Sequence, residues 1–282
     1  MHPTLTKPSQ TSRLAAMVAI MCAVGATAHA AVVTPSTLGN WSPAPFGGGV
    51  TAITTAFPSN GLGSIEITLP SDSAGVDWEY QLATPVKLNT FTSGAYDYWR
   101  DSANSSSIWF QVPSYGLLID HACDGATKSY LVYEPYYQSN PPPSSFPTNQ
   151  WITESVMPAS IVWESGQSAN NNWSSQPLSN YMNGTATGPV QASGINGNSC
   201  ITALVPFAGS GWVGNSTPVF HGAIDNVRMS AGGAEVVNAN FEPYAPAAPT
   251  AVPTLSQWGL GLTALLLGAL GLRRTRRATS KA

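Results

Sequence analysis

The sequence predicts an all-β protein, a two-sheet antiparallel sandwich of the jelly-roll kind, set between a cleaved N-terminal signal peptide and a C-terminal transmembrane helix. Three observations predict it. From Ala31 to Glu242 the chain falls into short apolar or alternating runs, rich in Val, Ile, Thr, Tyr and Trp and cut by Gly, Pro, Asn and Ser. Charged residues make up only 9% of the chain, against roughly 25% in an average soluble domain, so surface polarity comes mainly from hydroxyls and amides. Apolar segments stand at both ends, each with basic residues on one flank.

The first segment begins with Lys7 and Arg13, continues as an apolar run over 14–26, and closes with Ala28-His29-Ala30. A basic flank and a small-x-small site mark a secretory signal peptide over residues 1–30, and the run is shorter than the roughly 20 residues a membrane span needs. Cys22 leaves with that peptide.

Residues 31–242 form the expected sandwich ectodomain. Strands are predicted at 50–57, 64–69, 77–82, 91–99, 107–112, 117–121, 128–134, 151–156, 161–164, 201–206 and 219–229. In Ile65-Glu66-Ile67-Thr68-Leu69 the three apolar residues share one face, as in a half-buried antiparallel strand. A short helix is predicted over 177–183, with Pro177 at its first turn and Gly184 as terminator. No blade repeat of about 40–50 residues recurs, which argues against a propeller. Residues 139–148, with Pro141-Pro142-Pro143, and 165–175, rich in Asn and Ser, read as loops. Residues 243–251 form a Pro/Ala-rich spacer.

All fourteen acidic residues lie between Glu66 and Glu242, opposed there only by Lys87, Arg100, Lys128 and Arg228, which leaves that segment at −10. Such a surface repels phosphates, so nucleic acid is not an expected partner. Two cysteines remain in the exported chain, Cys123 and Cys200, and in an oxidising compartment they read as one disulfide. Two free thiols, or a zinc set completed by His121 and His221, are the alternatives, though no short ligand spacing supports the metal.

No nucleophile elbow is present, and no catalytic residue is assigned. The acids group as Asp72, Asp77 and Glu79; as Asp97 and Asp101; and as Asp120 and Asp124. These read first as solvated loop carboxylates, with Asp120 and Asp124 as candidate calcium ligands in a tight loop. No cofactor is expected and no metal site is assigned. Trp78, Trp99, Trp109 and Trp163 lie in strand-like runs and are expected in the core. Trp173, Tyr136 and Tyr137 lie in loop-like contexts and are the candidate ligand-binding aromatics, since a ring face stacks on a sugar.

The stretch Phe220-His221-Gly222-Ala223-Ile224-Asp225-Asn226-Val227-Arg228-Met229 resembles the closing strand of laminin-G-like and related jelly-roll modules. That resemblance implies a fold class and, for Asp225, a structural part in capping or pinning a strand. At the other end, Val252-Pro253-Thr254-Leu255-Ser256-Gln257-Trp258-Gly259 resembles the IPTL-CTERM sorting signal, with Val252 in place of isoleucine. An apolar segment and the basic end Arg273, Arg274, Arg276 and Arg277 follow it in the order that family requires. The tail therefore covers 252–282: the motif at 252–259, a membrane helix at about 254–272, and a basic end at 273–282.

The resemblance implies an exosortase-like membrane protease as partner and cleavage of the tail during export. The physical reading agrees. Trp258 suits a membrane interface, and the arginines stop the helix on the cytoplasmic side. At 1.5 Å per residue, residues 259–272 reach about 21 Å, so spanning a core of about 30 Å draws in residues from 254 onward. A plain anchor without processing is the alternative.

The expected protein is thus a precursor held in the inner membrane by its C-terminal helix, with a periplasmic ectodomain, and afterwards at the cell surface or secreted. Its expected function is non-enzymatic, with extracellular polysaccharide as the candidate ligand. A secreted glycan-active hydrolase on a jelly-roll fold and a purely structural surface protein are the other readings.

Overall fold

A computed structural model describes residues 30–108, 110–139, 142–166, 175–187, 194–209, 219–245, 262 and 265–267, and among these described residues fourteen strands form two sheets of seven. In chain order the first seven are β1 (Ala31–Val33), β2 (Trp41–Phe46), β3 (Val50–Thr54), β4 (Ser64–Leu69), β5 (Gly75–Lys87), β6 (Phe91–Arg100) and β7 (Ser114–Asp120). The rest are β8 (Lys128–Tyr133), β9 (Trp151–Val156), β10 (Ile161–Gly166), β11 (Gln176–Pro177), β12 (Cys200–Gly209), β13 (Phe220–Ala231) and β14 (Ala234–Phe241). The short helix α1 (Leu178–Met182) follows β11, and Gly184 ends it at φ +67°.

The first sheet is built around β13. One side of β13 pairs with β6 along most of its length, and β9 pairs with β6 beyond it. The other side is shared by β4, carrying β3, and by β14, carrying β1 in parallel. The second sheet runs β11-β10-β8-β7-β12-β5-β2 and is antiparallel throughout. The chain passes from one sheet to the other many times, so both inner faces fill from all parts of the sequence.

The core lies between the sheets. Ile65, Ile67 and Leu69 of β4 face inward as their alternation predicts, and all three are fully buried. Opposite them stand Val76 and Trp78 of β5 and Tyr115, Leu117 and Ile119 of β7. Tyr96 stacks on Tyr115 with ring centroids 5.9 Å apart, and each hydroxyl donates to a backbone carbonyl, of Pro113 and Arg228 respectively. These bonds satisfy the polar tips of rings that supply large apolar area.

Several expectations change. The described residues of 107–112 do not form a strand. Buried Arg100 explains this: its guanidinium donates to the carbonyls of Ser106, Ile108 and Gln111, which gathers the segment around one cation. β2 was hidden by Pro43 and Pro45. It is an edge strand paired only with β5, where a missing N–H costs nothing if it faces water. β14 closes the first sheet where the sequence showed only the end of the domain.

Cys123 and Cys200 are joined in a disulfide, with Cα atoms 5.2 Å apart. It ties the β7–β8 turn to the start of β12. The cysteines are therefore not thiolate ligands. His121 and His221 are engaged elsewhere, His121 with Ser129 and His221 between Glu66 and Asp101.

The chain divides into two compact units, Met1–Tyr244 and Ala245–Ala282. The signal peptide expected over 1–30 lies outside the described residues except for Ala30. Of the membrane helix expected over 254–272, only Leu262 and residues 265–267 are described, and these are helical and exposed. Among the described residues no helix is long and apolar enough to cross a membrane.

Candidate functional site

The outer face of the second sheet is not a flat, wet surface. On β7 every residue is buried, including those that point away from the core. Leu118 of β7 and Ala203 and Val205 of β12 form a second apolar cluster on this outer face, with Tyr130 and Phe207 packed against it. A bulge at Ile201/Ala203 sets that pattern, placing Ile201 and Leu204 inward and Ala203, Val205 and Phe207 outward. Longer side chains from the flanking strands surround the small residues of the middle ones here.

The result is a cleft of about 150 Å³. Its floor follows the register Val205–Gly116–Val132–Trp163 across β12, β7, β8 and β10. Phe46 and Asp77 close it on the β2/β5 side, and Trp163, Ser165 and Glu134 on the β10 side. Tyr130 and Phe207 complete the ring of aromatics. Gly116 keeps the floor low, since a Cβ there would stand 3.1 Å from the Val205 carbonyl oxygen and 3.5 Å from the Phe207 ring.

Two carboxyl groups face this space in unusual states. Burial, aided by the neighbouring charge of Glu79, pushes Asp77 up to about 6. Burial raises Glu134 to about 7, opposed by the Trp163 indole N–H, which donates to Glu134 Oε1 at 3.1 Å. Asp77 accepts no hydrogen bond from any described residue. Glu79 shares its face of β5, and the charges of both acids help raise the Tyr130 hydroxyl, after burial as the main cause. No lysine, arginine or histidine lines the cleft among the described residues.

Trp163 therefore stands outside the core, contrary to expectation, while Trp78 lies within it. Trp99 also faces outward, on the first sheet, in contact with Trp151 and Phe57. Trp109 and Trp173 lie outside the described residues. Tyr136 and Tyr137 sit on the short 3₁₀ turn Pro135–Gln138 directly after Glu134, their rings 5.1 Å apart, with Phe110 5.3 Å from Tyr136. The Glu134 charge adds to burial in raising the Tyr137 hydroxyl, so this pair flanks the acid end of the cleft without lining it.

Asp120 and Asp124 have local partners. Asp120 accepts backbone N–H bonds from Asp124 on one oxygen and from Gly125, at 2.6 Å, on the other, and Asp124 accepts from Ala126. Both carboxylates organise the turn that carries Cys123. The acids at 72, 77 and 79 separate: Asp77 and Glu79 share the cleft face, whereas Asp72 lies in the loop before β5.

The sorting residues 252–259 and the arginines at 273–277 lie outside the described residues. Residues 250–277 match the IPTL-CTERM motif. The IPTL-CTERM motif marks an exported, surface-sorted protein.

No curated protein matches the sequence. Among solved structures, the family 11 carbohydrate-binding module of a Clostridium thermocellum cellulosomal cellulase is similar at 12% identity and TM-score 0.39, over 68% of this chain and 88% of the module. A xylan-binding domain from Paenibacillus barcinonensis is similar at 13% identity and TM-score 0.36, over 69% and 92%. A β-1,2-glucanase from Parabacteroides distasonis gives 10% identity and TM-score 0.35, over 68% of this chain and 23% of the enzyme. Likenesses this distant leave the cleft to be read from its own geometry.

Proposed function

We propose that this protein binds glycan at the cell surface without cleaving it, through the cleft between Phe46 and Trp163. One observation carries the reading. The outer face of the second sheet holds a shallow concavity whose rim is aromatic and whose polar groups are carboxylates. Ring faces pack on the apolar faces of pyranoses, and carboxylate oxygens accept from sugar hydroxyls, so the two together suit a saccharide chain better than a wholly apolar or wholly charged ligand.

In this reading the sandwich is a jelly roll. Residues 1–30 are removed as a signal peptide, and the tail holds the precursor in the inner membrane until an exosortase-like protease acts at 252–259. The IPTL-CTERM match supports the export route, and the cleft supports the ligand class.

The test is a glycan array and calorimetry on the purified protein, with Phe46→Ala and Trp163→Ala as variants. Retained oligosaccharide binding that both substitutions weaken supports the reading. Binding that neither changes would place the site elsewhere. A second reading has its own observation: Asp77 and Glu134, both titrating near neutrality in one cleft, are the kind of pair a glycosidase uses. Product sugars released from a bound oligosaccharide, and lost in Asp77→Asn or Glu134→Gln, would establish that reading instead.

A further inference from the structure

We infer that the cleft selects a cationic glycan, a chain containing amino sugars with free amines of the glucosamine type, over neutral or acidic polysaccharides. This rests on the reading of the cleft as a sugar site. What it adds is the charge and chemistry of the sugar.

The argument starts from what the cleft offers. Asp77 from β5 and Glu134 from the end of β8 face it from opposite sides, and Glu79 stands beside Asp77 on the same face. No described base lines it. Lys128 shares the outer face of β8 but lies beyond Tyr130, outside the lining. The field inside the cleft is therefore negative, and its apolar, low-dielectric walls concentrate that field.

Asp77 is the sharper sign. It is half-buried, has no described donor, and sits next to another acid. A carboxylate in that position is costly unless something brings it a positive charge or a proton. Trp163, Tyr130, Phe207 and Phe46 add electron-rich ring faces, which attract cations as well as stack on sugar faces. A uronic acid or sulfated chain meets charge repulsion here that opposes any ring stacking. A neutral chain gains stacking and hydrogen bonds but leaves Asp77 and Glu134 uncompensated. A protonated 2-amino group supplies the donor and the charge together.

The pH behaviour is part of the same geometry. Asp77 and Glu134 lose their charge as the pH falls through about 6 and about 7, and a sugar amine loses its charge as the pH rises past neutrality. Their attraction is therefore strongest in a window between the two.

The experiment titrates the purified full-length protein at about pH 6.5 with a glucosamine hexamer, its fully N-acetylated counterpart, a neutral β-glucan hexamer, an oligogalacturonate and a lysine hexapeptide. The inference expects the glucosamine chain to bind about tenfold or more tightly than the acetylated and neutral chains, with no binding of the galacturonate. It expects Asp77→Asn and Glu134→Gln each to weaken glucosamine-chain binding far more than neutral-chain binding, and so to remove most of that preference. Both variants keep the local structure, because Asp77 has no described bond to lose and a glutamine oxygen still accepts from Trp163. It also expects affinity for glucosamine to peak between about pH 6 and 7 and fall on both sides.

Equal binding of glucosamine and acetylated chains would overturn the charge inference and leave the sugar site standing. A flat pH profile would overturn it in the same way. Binding of the lysine peptide as tight as that of the glucosamine chain would show simple polycation capture and overturn it too. Failure of every oligosaccharide to bind would instead remove the sugar-site reading itself.

Discussion

Replacing Asp225 by asparagine is expected to favour the fold more at pH 8 than at pH 5. Asp225 lies on β13 with no exposure to solvent. Its Oδ1 accepts from the backbone N–H of Phe241 on β14 at 2.9 Å, which pins the last strand to the sheet. Its Oδ2 is buried with no partner. Burial raises this carboxyl from 3.8 to about 7, opposed by the nearby backbone N–H groups of Phe241, Asn226 and Asn60 and aided by a smaller contribution from the charge of Asp97. Above pH 4 the unfolded chain loses the Asp225 proton while the folded chain keeps it. Stability from this group is therefore full below about 4 and is lost progressively as the pH rises to about 7. A shift of about three units corresponds to about 4 kcal/mol by pH 8. Asparagine keeps the acceptor for Phe241 and removes the titration.

Urea unfolding of both proteins at pH 5 and pH 8 measures the difference. The variant should gain about 2–4 kcal/mol on the parent between the two conditions, or roughly 5–10 °C in Tm for a unit of this size. The parent's other raised carboxyls, Asp77 and Glu134, contribute equally to both proteins and cancel in the comparison. A variant less stable by a similar amount at both pH values would refute the reasoning, because it would show Asp225 charged and compensated in the folded state.

Other consequences are as direct. Protonated His221 donates from Nε2 to Glu66 and from Nδ1 to Asp101, each at 3.0 Å; burial opposes its protonation, but these two carboxylates outweigh that and raise it above 6.5. Its stabilising charge is full below about 6.5 and lost as the pH rises through the raised value, so His221→Gln should flatten the fall in Tm measured between pH 6 and 9. Replacing Cys123 and Cys200 together by alanine opens a loop of 77 residues and should cost up to about 4 kcal/mol in chemical denaturation. Arg100→Lys leaves at least one of the carbonyls of Ser106, Ile108 and Gln111 without its donor and should cost about 2–4 kcal/mol, with the loop that carries these three residues becoming the first to exchange amide hydrogens. Mass spectrometry of the protein in cells and medium should find the C-terminus near residues 252–259 in the exported fraction, whereas an intact Ala282 in every fraction would remove the processing proposal.

Much of the fold was legible because β4 and β6 are half-buried strands with one wet face. In β4, Ile65, Ile67 and Leu69 alternate with Glu66 and Thr68, and the outward Glu66 reaches His221. Asp225 was also legible, since the resemblance of 220–229 to a closing strand implied a pinning part, and Phe241 N–H is what it pins. β2 failed to show because prolines are read as breakers, and only its place at a sheet edge makes them harmless. The strand at 107–112 failed for a reason no local pattern contains: Arg100, held by β6, claims the carbonyls of Ser106, Ile108 and Gln111.

The cleft was harder to see, because a concave outer face looks like a core in sequence. β7 reads Ser114-Tyr115-Gly116-Leu117-Leu118-Ile119-Asp120, with an apolar run Leu117–Ile119 that spans both sides, and both sides are in fact buried. Trp163 belongs to such a surface, so its apolar neighbours pointed to the interior although Val162, not Trp163, faces the core. The trace that did exist was paired. Asp77 and Glu79 alternate with the core residues Val76 and Trp78, so they had to point outward together, and Gly116 interrupts an otherwise bulky strand. An outward acid pair on one strand and a glycine in the middle of a buried one are what a recessed polar site requires: charge at its edge and no side chain on its floor. Only the register across β5, β12 and β7 brings those two facts to the same place.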